Sequence, residues 1–265
     1  MMARRNALIG LLFAFSVFGA GCFRTGETVT TTPRPLVSAP LGGSWTEVST
    51  GFDRLEYRYS TSTSAKVIVY RIDEKQFEVR LSSGEAKTVA AWSDTEPTAI
   101  LTANAAYFHE DDTPSGFVKV DGTRIGDRAF DLDKSGLILT QPQFRLVDTL
   151  ADPWDLGEVE EGFQSYPFLL KEGEPAIASD SGLRARRTFV GTDRAGQIYL
   201  GLVEGDLSLF GLAKLLPDLG INWDMALNMD GGPSSGLVTP LIPTSRMGEN
   251  SLSSVPTVLF VFPRK

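Results

Sequence analysis

Short runs of β-branched and aromatic residues, each closed by a tight turn, recur along this chain and restrict it to a strand-rich fold. Lys66 to Ile72 is such a run. Asp73-Glu74-Lys75 ends it, and Phe77, Val79 and Leu81 then alternate with Gln76, Glu78 and Arg80. Leu55 to Leu81 therefore reads as antiparallel strands. Ala99 to Ala103, Ser115 to Gly122, Gly136 to Leu139, Gln143 to Val147 and Phe168 to Leu170 give further short strands, whereas Asp148 to Gly162 is acidic and loop-like. Gln197 to Val203 is almost wholly apolar, as a central strand covered on both faces is. Trp223 to Met229 and Val255 to Phe262 complete the series. Helical signals are few. Thr88 can cap a short helix through Val89 and Trp92, and Ser208 can cap one that turns Leu209, Leu212, Ala213, Leu215, Leu216 and Leu219 inward. Pro217 would break or kink its last turn, and Gly220 is a suitable stop. The expected class is α+β: a mixed, largely antiparallel sheet with a few packed helices in a single domain.

The chain is long enough, at 265 residues with 42% hydrophobic, to bury a real core. Its formal net charge of −8 sets nucleic acid aside as a partner. Cys22 is the sole cysteine and His109 the sole histidine. Internal disulfides, cysteine-based metal sites, multi-histidine metal sites and Ser-His-Asp catalysis on any other histidine are thereby excluded. Arg4 and Arg5, the apolar run Ala7 to Phe18 and the small residues Gly19-Ala20-Gly21 before Cys22 form a secretory signal over residues 1–22. The run is too short to be a stable membrane span. The small residues before a lone cysteine resemble a bacterial lipoprotein processing site, which would make Cys22 the lipidated first residue; ordinary secretory cleavage is the alternative. Residues 23–43, with Thr30-Thr31-Thr32-Pro33-Arg34-Pro35 and Pro40, read as a flexible tether, and 44–265 as the folded domain. The expectation is an exported protein, lipid-anchored to the bacterial cell envelope.

Ala226 to Leu237 concentrates the chemistry. Asp230-Gly231-Gly232 turns the chain sharply, and Ser234 and Ser235 follow before it becomes apolar again. A carboxylate, two residues free to take positive φ and two hydroxyls can bring backbone N–H groups and short polar side chains against a ligand. On spacing alone, the reading is an Asp-Gly turn between strands.

Upstream pieces change that reading. In order they are Asn104-x-x-Tyr107-Phe108, Ser115-Gly116, Gln164-Ser165-Tyr166-Pro167, Arg186-Arg187-Thr188-x-x-Gly191, a helix, and Leu227-Asn228-x-Asp230-Gly231-Gly232-x-Ser234-Ser235. This ordered set, from roughly Leu55 to Phe262, resembles the phosphodiester glycosidase family. The resemblance implies hydrolysis of a sugar-1-phosphodiester, such as a GlcNAc-1-phosphodiester, to free sugar and phosphomonoester. It also implies one pocket lined by Asn104, Tyr107, Phe108, Ser115, Gly116, Ser165, Arg186, Arg187, Thr188, Asn228, Asp230, Gly231, Gly232, Ser234 and Ser235. Ala105 and Ala106 stand where glycine is frequent, Pro233 replaces a common third glycine, and Glu204 stands where aspartate is frequent.

The residue types suit that reaction. A phosphomonoester leaving group, with a second pKa of about 6, departs with little help from a general acid. It needs charge stabilisation, for which a guanidinium fork is matched. Neighbours on a strand face opposite ways, so one of Arg186 and Arg187 is expected to reach the site. Asp230 is the candidate carboxylate for the anomeric carbon, as nucleophile, base to water or oxocarbenium stabiliser, with capping the turn or holding a cation as the alternatives. Asn104 is expected to hydrogen-bond sugar or phosphate, with binding of backbone at a strand end as the alternative. His109 opens the polar stretch His109-Glu110-Asp111-Asp112 and reads as solvated. No cofactor is implied; a divalent cation, held weakly by Glu110, Asp111 and Asp112, stays open. The alternatives are a non-catalytic binding module for phosphorylated envelope glycans and a phosphodiesterase that cuts the P–O bond.

Overall fold

A computed structural model describes residues 42–60, 66–126 and 134–265. The expected signal segment, Cys22 and most of the expected tether lie outside the described residues; Gly42 and Gly43 open the first strand. In chain order the strands are β1 (Gly42–Ser49), β2 (Phe52–Arg58), β3 (Lys66–Ile72), β4 (Phe77–Lys87), β5 (Leu101–Asn104), β6 (Val118–Val120), β7 (Thr123–Arg124), β8 (Gly136–Gln141) and β9 (Arg145–Asp148). They continue with β10 (Glu161–Ser165), β11 (Phe168–Lys171), β12 (Glu174–Pro175), β13 (Ala185–Asp193), β14 (Ile198–Leu207), β15 (Trp223–Asn228), β16 (Leu237–Val238) and β17 (Val255–Pro263).

These strands form three sheets, in the orders β1-β2-β3-β14-β13-β15-β11-β12, β7-β6-β10-β8-β9 and β16-β5-β17-β4. The pairings are antiparallel throughout. One face of the large sheet packs Ile68, Tyr70, Val190, Leu202 and Leu227 against Leu81, Ala103 and Leu259 of the four-stranded sheet and Ile138 and Phe163 of the five-stranded one. The other face packs Val69, Phe189, Tyr199 and Ala226 under Leu212, Ala213 and Leu216.

The strand expectations hold over Lys66–Ile72, Trp223–Asn228 and the central β14, whose residues 198–203 are all buried. The α+β expectation shifts toward β, because strands account for 48% and helix for 12%. The helices are α1 (Val89–Ser93), α2 (Leu209–Leu215) and α3 (Ser245–Gly248). Thr88 and Ser208 cap the first two as expected, accepting from the N–H groups of Ala91 and Gly211. Pro217 then tightens the end of α2 into a 3₁₀ turn, and Gly220 stops it at φ 70°. β10 replaces the end of the expected acidic loop. Glu161 is buried there because Arg80, the Leu81 N–H and the Thr140 hydroxyl all donate to it, which ties two sheets together. Gly162 leaves room for the Ile138 carbonyl, which a methyl group would meet at 2.4 Å.

Candidate active site

All three sheets deliver a strand end to one place. β5 ends at Asn104, β10 at Ser165 and β15 at Asn228, and β13 brings in Arg186 and Arg187 beside the turn after β15. The turn is tied from several sides. Asp230 donates its N–H to the Ala105 carbonyl. Asn104, with no exposed surface, donates from Nδ2 to the Asp230 carbonyl at 2.8 Å and accepts from the Gly236 N–H at 3.0 Å. Its amide thus closes the loop from Asp230 to Gly236 and acts as a positioning group, the backbone alternative of its two readings. Gly232 adopts φ 63°, which favours glycine; Gly231 does not take positive φ.

Asp230 and Tyr107 form the centre. Burial raises the Asp230 pKa, against hydrogen bonding from the Ser234 side chain and the Gly231 N–H at 2.9 Å. The Tyr107 hydroxyl donates to the Tyr166 carbonyl at 2.9 Å and accepts from Asn228 Nδ2. Burial pushes its pKa well up, and the neighbouring Asp230 carboxylate adds to the shift. Asn228 Nδ2 also donates to the carbonyls of Tyr166 and Met229. Two carbonyls cannot face an amide oxygen, so this orientation is fixed. It leaves Asn228 Oδ1 buried without a hydrogen-bond partner among the described residues.

The two arginines divide as strand geometry requires. Arg187 donates to the carbonyls of Leu207 at 3.2 Å and Leu183 at 2.9 Å, and its Nη1 lies 3.5 Å from where a methyl at Gly231 would sit. Tyr107 is its electrostatic neighbour, and burial lowers its pKa. Arg186 turns away, donating to the Asn250 carbonyl at 3.1 Å with Glu204 nearby. Arg187 is the member of the pair on the Asp230–Tyr107 side.

Several expected residues serve as supports. The Ser165 hydroxyl, fully buried, donates to the Asn228 carbonyl at 2.6 Å and so orders the strand end. The Ser115 N–H holds the Tyr107 carbonyl at 2.9 Å. Gly116 packs where a methyl would meet Gln164 Oε1 at 2.8 Å. Thr188 accepts the Met229 N–H at its carbonyl, while its hydroxyl and that of Ser235 are buried without hydrogen-bond partners among the described residues. Phe108 packs against the Val89–Trp92 cluster and so supports the site from the core side instead of lining the expected pocket. His109 is half-buried, with Nε2 unpartnered among the described residues, so it is not the solvated histidine expected. The Asp111 carboxylate is engaged by Thr113, and no three His, Cys, Asp or Glu side chains among the described residues group as metal ligands.

Two residues join the site that sequence reasoning passed over. The Tyr166 ring lies 4.9 Å from that of Tyr107, partly exposed at the rim. Lys134 stands 5.1 Å from the Tyr166 ring and donates to the Ser115 carbonyl at 3.3 Å. Tyr166 lies inside the Gln-Ser-Tyr-Pro motif, where an aromatic beside two matched polar residues was a usable signal. Lys134 carries none.

A family model described as phosphodiester glycosidase matches residues 97–262. Among solved structures, a hypothetical protein from Synechocystis is similar with a TM-score of 0.63 and 14% identity over 85% of this chain; the chain spans 64% of that structure's length. The zebrafish N-acetylglucosamine-1-phosphodiester α-N-acetylglucosaminidase catalytic domain, auto-inhibited by its pro-peptide, is similar with a TM-score of 0.58 and 17% identity. That likeness covers 86% of this chain and 85% of the zebrafish domain. At such identities the structural likeness speaks for the fold. A search of curated proteins finds no match. The family match takes in more than half of the sequence and every residue of the cluster around Asp230, and the chain belongs to the phosphodiester glycosidase family.

Proposed function

We propose that this protein is an exported hydrolase that cleaves the glycosidic bond of a sugar-1-phosphodiester of the GlcNAc-1-phosphodiester kind. The observation that carries the reading is the meeting of a desolvated carboxyl, Asp230, with Tyr107, Asn228 and the guanidinium of Arg187 at the joined ends of three sheets. Water supplies a hydroxyl to the anomeric carbon as the C1–O bond breaks. The bonding pair leaves with the phosphate oxygen, and the released proton passes to solvent. Arg187 Nη1 faces the departing phosphate with the Gly231 and Gly232 turn. Its other nitrogens are already anchored on two carbonyls, so the fork is set before substrate arrives. Asn228 Oδ1, an acceptor lacking a donor, takes a sugar hydroxyl, and the Tyr107–Tyr166 pair forms the aromatic wall. Asp230, ionised, faces the anomeric carbon. The basic start, short apolar run and Cys22 support export with a lipid anchor in the cell envelope.

The test is release of free sugar from a GlcNAc-1-phosphodiester by the purified protein. Arg187→Lys is expected to lower kcat about 10²-fold, because an ammonium cannot hold both carbonyls and reach the phosphate. Arg186→Lys should leave kcat within a few-fold. Equal losses in the two variants, or none in either, contradict the assignment. Saturable glycan binding without turnover would make the protein a binding module instead.

A further inference from the structure

Away from Asp230, the large sheet carries a band of charge along one end. Arg186 on β13 neighbours Glu204 on β14. Glu204 pairs with Lys66 on β3 at 3.2 Å, and Lys66 reaches Glu56 on β2 at 3.4 Å. Glu56 also takes Arg58 at 2.9 Å and Arg54 at 3.3 Å, and Arg54 pairs with Glu249 at 2.9 Å. The ion pairs run across neighbouring strands β14, β3 and β2, and Arg186 on β13 adds an electrostatic neighbour without an ion pair. Among the described residues the band holds four cations against three carboxylates, in a chain whose formal charge is −8. Arg54 Nε and Arg186 Nη2 are buried without a hydrogen-bond partner among the described residues, so the outward-facing nitrogens of Arg54 and Arg58 carry the exposed charge.

The band ends in an open groove of about 460 Å³ lined by Arg54, Glu56 and Arg58 and by Ser44 and Thr46 of the edge strand β1. Ser44 lies opposite Glu56, and Thr46 opposite Arg54. At the other end, the backbone carbonyl of Arg186 lies against Gly231, while the Arg186 side chain turns from Asp230 toward the Asn250 carbonyl and Glu204, so the band ends beside the candidate active site and not within it. Four strand spacings separate β13 from β1, roughly 19 Å, which is room for more than one glycosyl-phosphate unit.

The geometry points to a second binding region for the substrate chain: an anionic phosphoglycan is gripped along this band, with its distal phosphates in the β1–β2 groove. The inference rests on the hydrolase reading for the proximal end and adds that the substrate is polymeric. Guanidinium groups favour phosphate oxygens, and the exposed hydroxyls of Ser44 and Thr46 suit sugar hydroxyls. The surplus positive charge is local, so a neutral glycan gains little from it.

Fluorescence anisotropy with a labelled oligo(GlcNAc-1-phosphate) chain tests this directly on the full chain. The double variant Ser44→Glu/Thr46→Glu is expected to weaken binding roughly tenfold at low salt, with the difference shrinking as salt is added. The reverse variant Ser44→Lys/Thr46→Lys should tighten it. Both positions are exposed on an edge strand, and the KM for a short GlcNAc-1-phosphodiester should be unchanged. Equal affinity in all three proteins, or a neutral chito-oligosaccharide binding as tightly as the phosphoglycan, overturns the groove. Charge-sensitive binding without any turnover would sustain the groove and remove the hydrolase reading. Turnover of the short ester with no charge-sensitive binding would do the reverse.

Discussion

Asp230 is held where an ionised carboxyl is unfavourable. Burial raises its pKa, and only the Gly231 N–H and Ser234 oppose that shift. The raised carboxyl favours folding at low pH, and that contribution is lost as pH rises through its folded pKa. Above that point the wild type carries a desolvated charge, whereas an amide does not. Asp230→Asn is therefore expected to raise Tm at neutral pH, with the gain shrinking as pH falls, while kcat drops about 10²–10⁴-fold. Calorimetry across that pH range, beside kinetics, checks both halves; a variant less stable than wild type at neutral pH contradicts the burial argument. The polar residues around Asp230 were legible because they sit in short motifs whose order matters. What each atom bonds was not. Asn104 and Ser165 look like substrate ligands by type, yet their side chains tie backbone groups that are neighbours only after folding. Lys134 was illegible because its contacts come from residues distant in the chain and no pattern surrounds it.

At the scale of elements, the site depends on loops held between sheets. The Asp230–Gly236 turn is closed by one amide, and removing it leaves a buried carbonyl and a buried N–H without their partner. Asn104→Ala should cost about 2–4 kcal/mol, seen as a lower urea midpoint at unchanged m, together with a fall in kcat. Full stability with lost activity would instead place Asn104 on the substrate. Strand and cap positions were legible wherever a local rule decides them: alternation in β4, the hydroxyl caps of α1 and α2, the glycine stop after α2. β10 was misjudged because its acidic opening suggests a loop. Glu161 is acceptable in a strand only because Arg80, Leu81 and Thr140 reach it from two others.

For the whole molecule, local pattern revealed strand richness and hid topology. β15 follows a helix yet pairs with both β13 and β11, and β17 lies between β4 and β5, with its Pro256 at a register shift. Such pairings are long-range in sequence, and they are what bring β5, β10, β13 and β15 to a common end. That convergence is the physical basis for reading the cluster as an active site, and the claim it supports concerns which bond breaks. Hydrolysis of a GlcNAc-1-phosphodiester in ¹⁸O-labelled water, followed by phosphorus NMR, measures this directly. Attack at the anomeric carbon leaves the bridging oxygen on the phosphate, so the account predicts free sugar and a phosphomonoester signal with no isotope shift. An isotope-shifted phosphate, with the sugar released as its 1-phosphate, would contradict it.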